Sequence, residues 1–252
     1  MIDLKTKEEI EKLRYSNRIV AEILQIIKQN TKPGMTGVDL NDIAIIECEK
    51  RNVKPAFLGL YGFPAALCVS INEEIVHGIP KKDRVIKEGD IVSIDFGVVV
   101  DGWYGDAAIS YGVGKISERK ERLLKGVEES LMAGIGQCYP GNDLINVSEA
   151  IENTLKAYKL APICDYGGHG IGRKPHEEPH VSNCKANAES LILKEGMVLA
   201  IEPMATLGKK PNYYRKLKDD WTVVSKDKSL AAHFEHSVAI TENGPDILSK
   251  LD

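Results

Sequence analysis

The sequence predicts an α+β fold made of two similar halves, each running helix, Pro-Gly break, helix and then strands. Three observations carry this expectation. Helical periodicity gives way to β-branched, glycine-punctuated segments twice along the chain. The breaks Pro33-Gly34 and Pro140-Gly141 stand 107 residues apart. Residues 87–95 (K-E-G-D-I-V-S-I-D) align at that same offset with residues 194–202 (K-E-G-M-V-L-A-I-E), sharing four identities, the apolar positions and a terminal acid.

Each element has a local cause. Residues 6–9 (T-K-E-E) form a capping box. Ile10, Leu13, Val20, Leu24 and Ile27 then recur at helical spacing until Lys32-Pro33-Gly34 stops the run. A second helix is expected over about 38–51, with Leu40, Ile43 and Ile46 on one face. Strands and turns are expected between 57 and 111. Ser117 is a candidate cap for a third helix, whose stripe is Leu124, Val127, Leu131 and Ile135. Leu144, Val147, Ile151, Leu155 and Tyr158 mark the fourth. Strand-like segments follow to the end.

At 252 residues the chain is long enough for one large domain or two small ones. No Ser/Gly-rich linker divides it, so the expectation is a single domain, 1–252, with pseudo-repeat halves at about 1–112 and 113–252. Hydrophobic residues make up 43% and charged residues 28%, which excludes a disordered chain, a collagen and a disulfide miniprotein. A net charge of −4 argues against a dedicated DNA binder. No apolar run reaches membrane-spanning length, and the first residues run into charge without an apolar signal segment. The five cysteines include no C-x-x-C pair, so free thiols and a cytoplasmic location are expected.

The acids on the strands point to chemistry. Asp95 ends the apolar strand I-V-S-I-D-F, where a bare carboxylate is costly. Asp101-Gly102 is a two-residue hairpin signal. That turn places residue 106 opposite 97, so Asp95 and Asp106 become diagonal neighbours on one face. They are either solvated acids on an outer face or a pair neutralised by a cation. The repeat favours the cation, because the counterpart of Asp95 is Glu202, and Glu235 looks like a mate of Asp106. A pseudo-two-fold axis would bring these four acids together with no Lys or Arg among them. His169, in Y-G-G-H-G-I-G, is either a structural histidine or the one nitrogen ligand. One imidazole among carboxylates suits Mn(II), Fe(II) or Co(II) better than structural zinc, and the set suffices for two ions with shared ligands.

These residues sit in motifs. S-I-N-E-E-I-V-H-G-I-P holds His77, S-I-D-F-G holds Asp95 and D-G-W-Y-G-D holds Asp106. G-G-H-G-I-G, K-P-H-E-E-P, I-E-P-M and E-H-S-V-A-I-T hold His169, His176, Glu202 and Glu235. With these the chain resembles the type I methionine aminopeptidases over nearly its whole length. The resemblance implies the pita-bread fold, two pseudo-two-fold related helix-helix-strand halves around a central antiparallel-rich sheet. It implies that Asp95, Asp106, His169, Glu202 and Glu235 hold two divalent ions (Mn, Fe or Co), with Asp106 and Glu235 bridging. The implied activity is removal of N-terminal methionine from peptides and nascent chains by a bridging water that both ions acidify. Glu202 would be the proton acceptor, His176 would stabilise the oxyanion and His77 would contact the scissile amide; as plain turn residues, these two histidines would do neither.

In the implied methionine pocket, Cys68 and Trp221 fit the family pattern, whereas Phe57, Leu60 and Phe63 depart from it. Pro175, Tyr104 and Ala107 also depart from usual residues, which bears on pocket shape and rate. An aminopeptidase P or prolidase on the same fold is one alternative, but those relatives carry an additional N-terminal domain. A metal-free pita-bread peptide-binding module is the other, but all five ligand positions are kept. The expected protein is a cytoplasmic monomer with no membrane partner, and any ribosome contact would use the globular surface.

Overall fold

A computed structural model describes residues 2–251. The first half contains α1 (Lys7–Asn30), α2 (Gly37–Arg51), β1 (Lys54–Pro55), β2 (Leu67–Ile71), β3 (Glu74–Val76), β4 (Ile91–Val100) and β5 (Trp103–Gly112). The second contains α3 (Glu118–Ile135), α4 (Leu144–Ala157), β6 (Ala161–Pro162), β7 (Gly167–Gly170), β8 (Glu177–Ser182), β9 (Val198–Ile201) and β10 (Met204–Thr206). It closes with β11 (Tyr214–Lys216), β12 (Val223–Ser225), β13 (Ala231–His233), β14 (Glu235–Thr241) and β15 (Gly244–Ile247).

The helices start where the caps demand. Thr6 Oγ1 accepts from Glu9 N while the Glu9 carboxylate accepts from Thr6 N. Thr36 and Asp39 repeat the device at α2, and the Asp143 side chain caps α4. Ser117 sits at the N-cap of α3, but its side chain makes no capping bond. The α2 face differs from expectation in one residue. Leu40, Ala44 and Cys48 recur every four positions and are buried, Ile43 is half-buried, and Ile46 points to solvent at 49% exposure. Glu47 takes a buried place instead, held by Lys50 and Arg51.

One sheet carries strands of both halves in the order β2-β4-β5-β14-β9-β7-β8, with β1 and β15 attached at β4 and β14. α1 and α2 cover β2, β4 and β5 through Val20, Leu24, Ile27 and Leu40. α3 and α4 cover β9 and β14 through Leu131, Ile135, Val147 and Ile151. The register of the 101–102 hairpin is as derived, with Gly97 opposite Asp106. The 107-residue offset is also built into the backbone. Gly34 N donates to Ile86 O as Gly141 N does to Leu193 O. The bridges Thr36↔Val85 and Asp143↔Ile192 are likewise paired, and the first residues of β4 and β9 correspond.

The cysteine expectation needs correction. Cys48, Cys68 and Cys138 are free and buried, but Cys164 and Cys184 form a disulfide. The cause is tertiary. Asn183 Nδ2 donates to Ile163 O and Tyr166 O, bringing the segments after β6 and β8 together with a Cα separation of 5.3 Å.

α1 and β5 meet backbone to backbone at Gly105. A Cβ there would lie 2.7 Å from Ser16 C and 2.8 Å from Asn17 N. Ser16 Oγ donates to Trp103 O, and Asn17 Oδ1 accepts from Asp106 N. Gly105→Ala should therefore push α1 away, costing about 1–3 kcal/mol and lowering Tm by several degrees. Thermal unfolding checks this, and an unchanged Tm would show that the contact is slack.

Candidate metal centre and substrate cavity

A cavity of about 420 Å³ opens where the two halves meet. β4 contributes Asp95 and β5 contributes Asp106. β14 opens with Glu235, opposite Ala108 of β5, so this acid is a diagonal neighbour of Asp106 across the junction of the halves. Glu202 follows the last residue of β9, and His169 lies in β7, whose neighbour is β9. His77, His176 and the predicted pocket residues line the same cavity. Every predicted metal, catalytic and pocket residue thus lies in one place, whereas Tyr104, Ala107 and Pro175 do not line the cavity.

Ligand atoms of Asp106, His169 and Glu235 all lie within 4.8 Å of one another. His169 Nε2 is 3.7 Å from Glu202 Oε1. His169 Nδ1 is 3.0 Å from Gly170 O, so it carries the proton and leaves Nε2 as a donor pair aimed at the acids.

Electrostatics make the cluster costly on its own. Two ionised carboxylates within 4.8 Å of each other repel by at least about 3 kcal/mol at an effective dielectric of 20. Burial pushes the Asp95 carboxyl up to about 7, helped by the nearby Glu202, and burial pushes Glu202 to about 8. Asp106 and Glu235 are held well above the carboxylate range, first by burial and then by the neighbouring acids. Burial likewise lowers His169 to about 3 and His77 to about 4, keeping both neutral. No Lys or Arg lines the cavity among the described residues.

A divalent cation fits this donor set. Asp95 Oδ1, Asp106 Oδ1 and Glu235 Oε1 are buried without a hydrogen-bond partner, as carboxylate oxygens awaiting a ligand would be. Asp106, His169 and Glu235 are close enough to share one, with Glu202 beside His169 and Asp95 in the same cavity.

Beside the acids, Phe57, Phe63 and Cys68 form an apolar cluster against which Leu60 and Trp221 pack. The Trp221 ring meets Phe63 edge-on at 5.1 Å and His77 at 6.4 Å. His77 adopts φ 57°, a left-handed conformation that a non-glycine residue holds only where its surroundings impose it. The His176 ring lies 4.4 Å from that of His169 and is stacked by Tyr61. The loop carrying His176 is pinned from the far end of the chain, because Lys5 Nζ donates to Glu177 Oε2 at 2.6 Å.

Further residues complete the site. Tyr61, Tyr166 and Met204 also line the cavity. Asn183 Nδ2 donates to Glu202 O, fixing that backbone. His233 is buried 3.5 Å from Glu202 Oε2. The signal for His233 was available, since it shares alternation parity with Glu235. Nothing in the sequence pattern marks Asn183.

Comparison with known proteins fits this geometry. Residues 11–242 match the model of metallopeptidase family M24. The methionine aminopeptidase of Aquifex aeolicus is 48% identical, with 99% of each chain covered. The crystal structure of the methionine aminopeptidase from Thermotoga maritima superposes with a TM-score of 0.96 at 43% identity, over all of both chains. A prolidase from Pyrococcus furiosus shares the fold alone, at 23% identity and a TM-score of 0.78, and the chain spans 66% of it. The pita-bread expectation therefore holds, and this chain belongs to metallopeptidase family M24, among its methionine aminopeptidases.

Proposed function

We propose that this chain is a metal-dependent hydrolase that removes the N-terminal methionine from peptides and nascent chains with two divalent cations. The observation that carries this is a cluster of four acids and one imidazole lining a partly apolar cavity, in a chain 48% identical to a methionine aminopeptidase. Asp95, Asp106, His169, Glu202 and Glu235 would hold the cations, with Asp106 and Glu235 reaching both. When bound, such cations supply Lewis acidity, ionising water near neutral pH and polarising a carbonyl. Carboxylate oxygens with one nitrogen suit Mn, Fe or Co.

The protein groups do the rest. The cluster of Phe57, Leu60, Phe63, Cys68 and Trp221 takes the unbranched thioether side chain and excludes water. Glu202 accepts a proton at its carboxylate and passes it to the leaving amine. His176, kept neutral by burial, donates an N–H to the developing oxyanion. His77 donates to the scissile amide. One catalytic domain, 1–252, is supported by the sheet that joins both halves. We further place the chain in the cytoplasm, where nascent chains are made, as a monomer whose globular surface makes any ribosome contact. No described helix is long and apolar enough to cross a membrane.

Two measurements test this. Met-Ala peptides should be hydrolysed and Xaa-Pro peptides should not. Activity should vanish in His169→Ala and after chelation, so full activity in either would overturn the metal reading. The second is cation binding against pH. With Asp95 raised to about 7 and Glu202 to about 8, the cation-free acids keep protons at neutral pH. Binding must displace those protons, so affinity should fall as pH drops through 8 and then 7. Titration calorimetry in buffers of different ionisation enthalpy should show net proton release; no release and a flat profile would contradict it.

A further inference from the structure

Glu202 presents each of its two carboxylate oxygens to a different imidazole. Oε1 is 3.7 Å from His169 Nε2 and Oε2 is 3.5 Å from His233 Nε2. His233 is 1% exposed, and its Nε2 is buried with no hydrogen-bond partner. Among the described residues no hydrogen bond fixes the His233 tautomer as Gly170 O fixes that of His169, and the tautomer with its hydrogen on Nε2 is the one that can meet Oε2. At 3.5 Å the pair sits just beyond ordinary hydrogen-bond length, and a small side-chain rotation closes it.

The ring is aimed by its backbone. His233 ends β13 opposite Met204, which opens β10 two residues after Glu202. Its N donates to Ser110 Oγ at 3.0 Å, and Ser110 Oγ donates to His233 O at 2.6 Å. Ser110 Oγ in turn lies 2.6 Å from Ser93 Oγ, its partner across the β4–β5 register. Two hydroxyls of the first half therefore fix a histidine of the second half over an acid of the centre.

We propose that His233 is a positioning residue for Glu202: its Nε2–H holds Oε2 and leaves Oε1 directed at the centre beside His169. The inference rests on the reading of Glu202 as a cation ligand and proton acceptor. Groups that orient a ligating carboxylate typically matter 10–100-fold in metal affinity.

Calorimetric titration of the full chain with Mn(II) chloride tests it. His233→Ala should bind about 10–100-fold more weakly, while His233→Gln, which keeps an N–H donor, should recover most of the affinity. Ser110→Ala should fall between them. Pulsed EPR of the Mn(II) form should show one coordinated imidazole, kept in His233→Gln and lost in His169→Ala. Glu202→Gln is the control and should itself bind weakly. Wild-type affinity in both His233→Ala and Ser110→Ala, with Glu202→Gln weakened, would overturn the positioning role alone. A second imidazole signal that disappears in His233→Gln would also overturn it, making His233 a direct ligand. Unchanged affinity in Glu202→Gln would overturn the reading of Glu202 and the inference with it.

Discussion

Four carboxylates held together, Asp106 and Glu235 buried and Asp95 and Glu202 half-buried, with no Lys or Arg in the cavity they share, are the constraint on which the rest of the structure depends. Each acid alone is an unfavourable guest in an apolar interior. Together they are worse, because the neighbouring acids add to burial in raising the proton affinity of Asp106 and Glu235. Three of them keep an oxygen with no partner. Folding energy spent on such a nest is explained by a charge that is not part of the chain, which the acids of both halves share.

The duplication explains how a chain can assemble that nest. Each half supplies one acid after the apolar run I-V-S-I or V-L-A-I: Asp95 in the middle of β4, which continues past it to Val100, and Glu202 just beyond the end of β9. Each also supplies one on the strand at the junction, Asp106 and Glu235. Neither half holds the site alone, while the β5–β14 pairing brings the two sets within reach. The packing that supports this is unforgiving at a few points. Gly105 lets α1 touch β5, and Asn17 on that helix accepts from the backbone of Asp106. Lys5 reaches Glu177 and so ties the start of the chain to the loop of His176.

What could be read in the sequence followed from local rules. The Asp101-Gly102 turn fixed the register that makes Asp95 and Asp106 diagonal neighbours. The 107-residue offset identified Glu202 as the mate of Asp95 before any contact was known. What could not be read depends on long-range contacts. Cys164 and Cys184 pair because Asn183 gathers two loops, and no spacing announces that. Ile46 is exposed because Glu47, neutralised by Lys50 and Arg51, occupies the inner face. The alternation that puts His233 in phase with Glu235 does not give it a role, which comes only from its proximity to Glu202. The substitutions Phe57, Leu60 and Phe63 form one cluster with Cys68 and Trp221, so the departures from the family pattern leave an apolar pocket.

The central claim is that cations hold these acids together. Anomalous diffraction from crystals grown with Mn(II) tests it most directly. The expected result is two anomalous peaks enclosed by Asp95, Asp106, His169, Glu202 and Glu235, with Asp106 and Glu235 touching both. Absence of anomalous density among these side chains, at a Mn(II) concentration that saturates binding in solution, would contradict it.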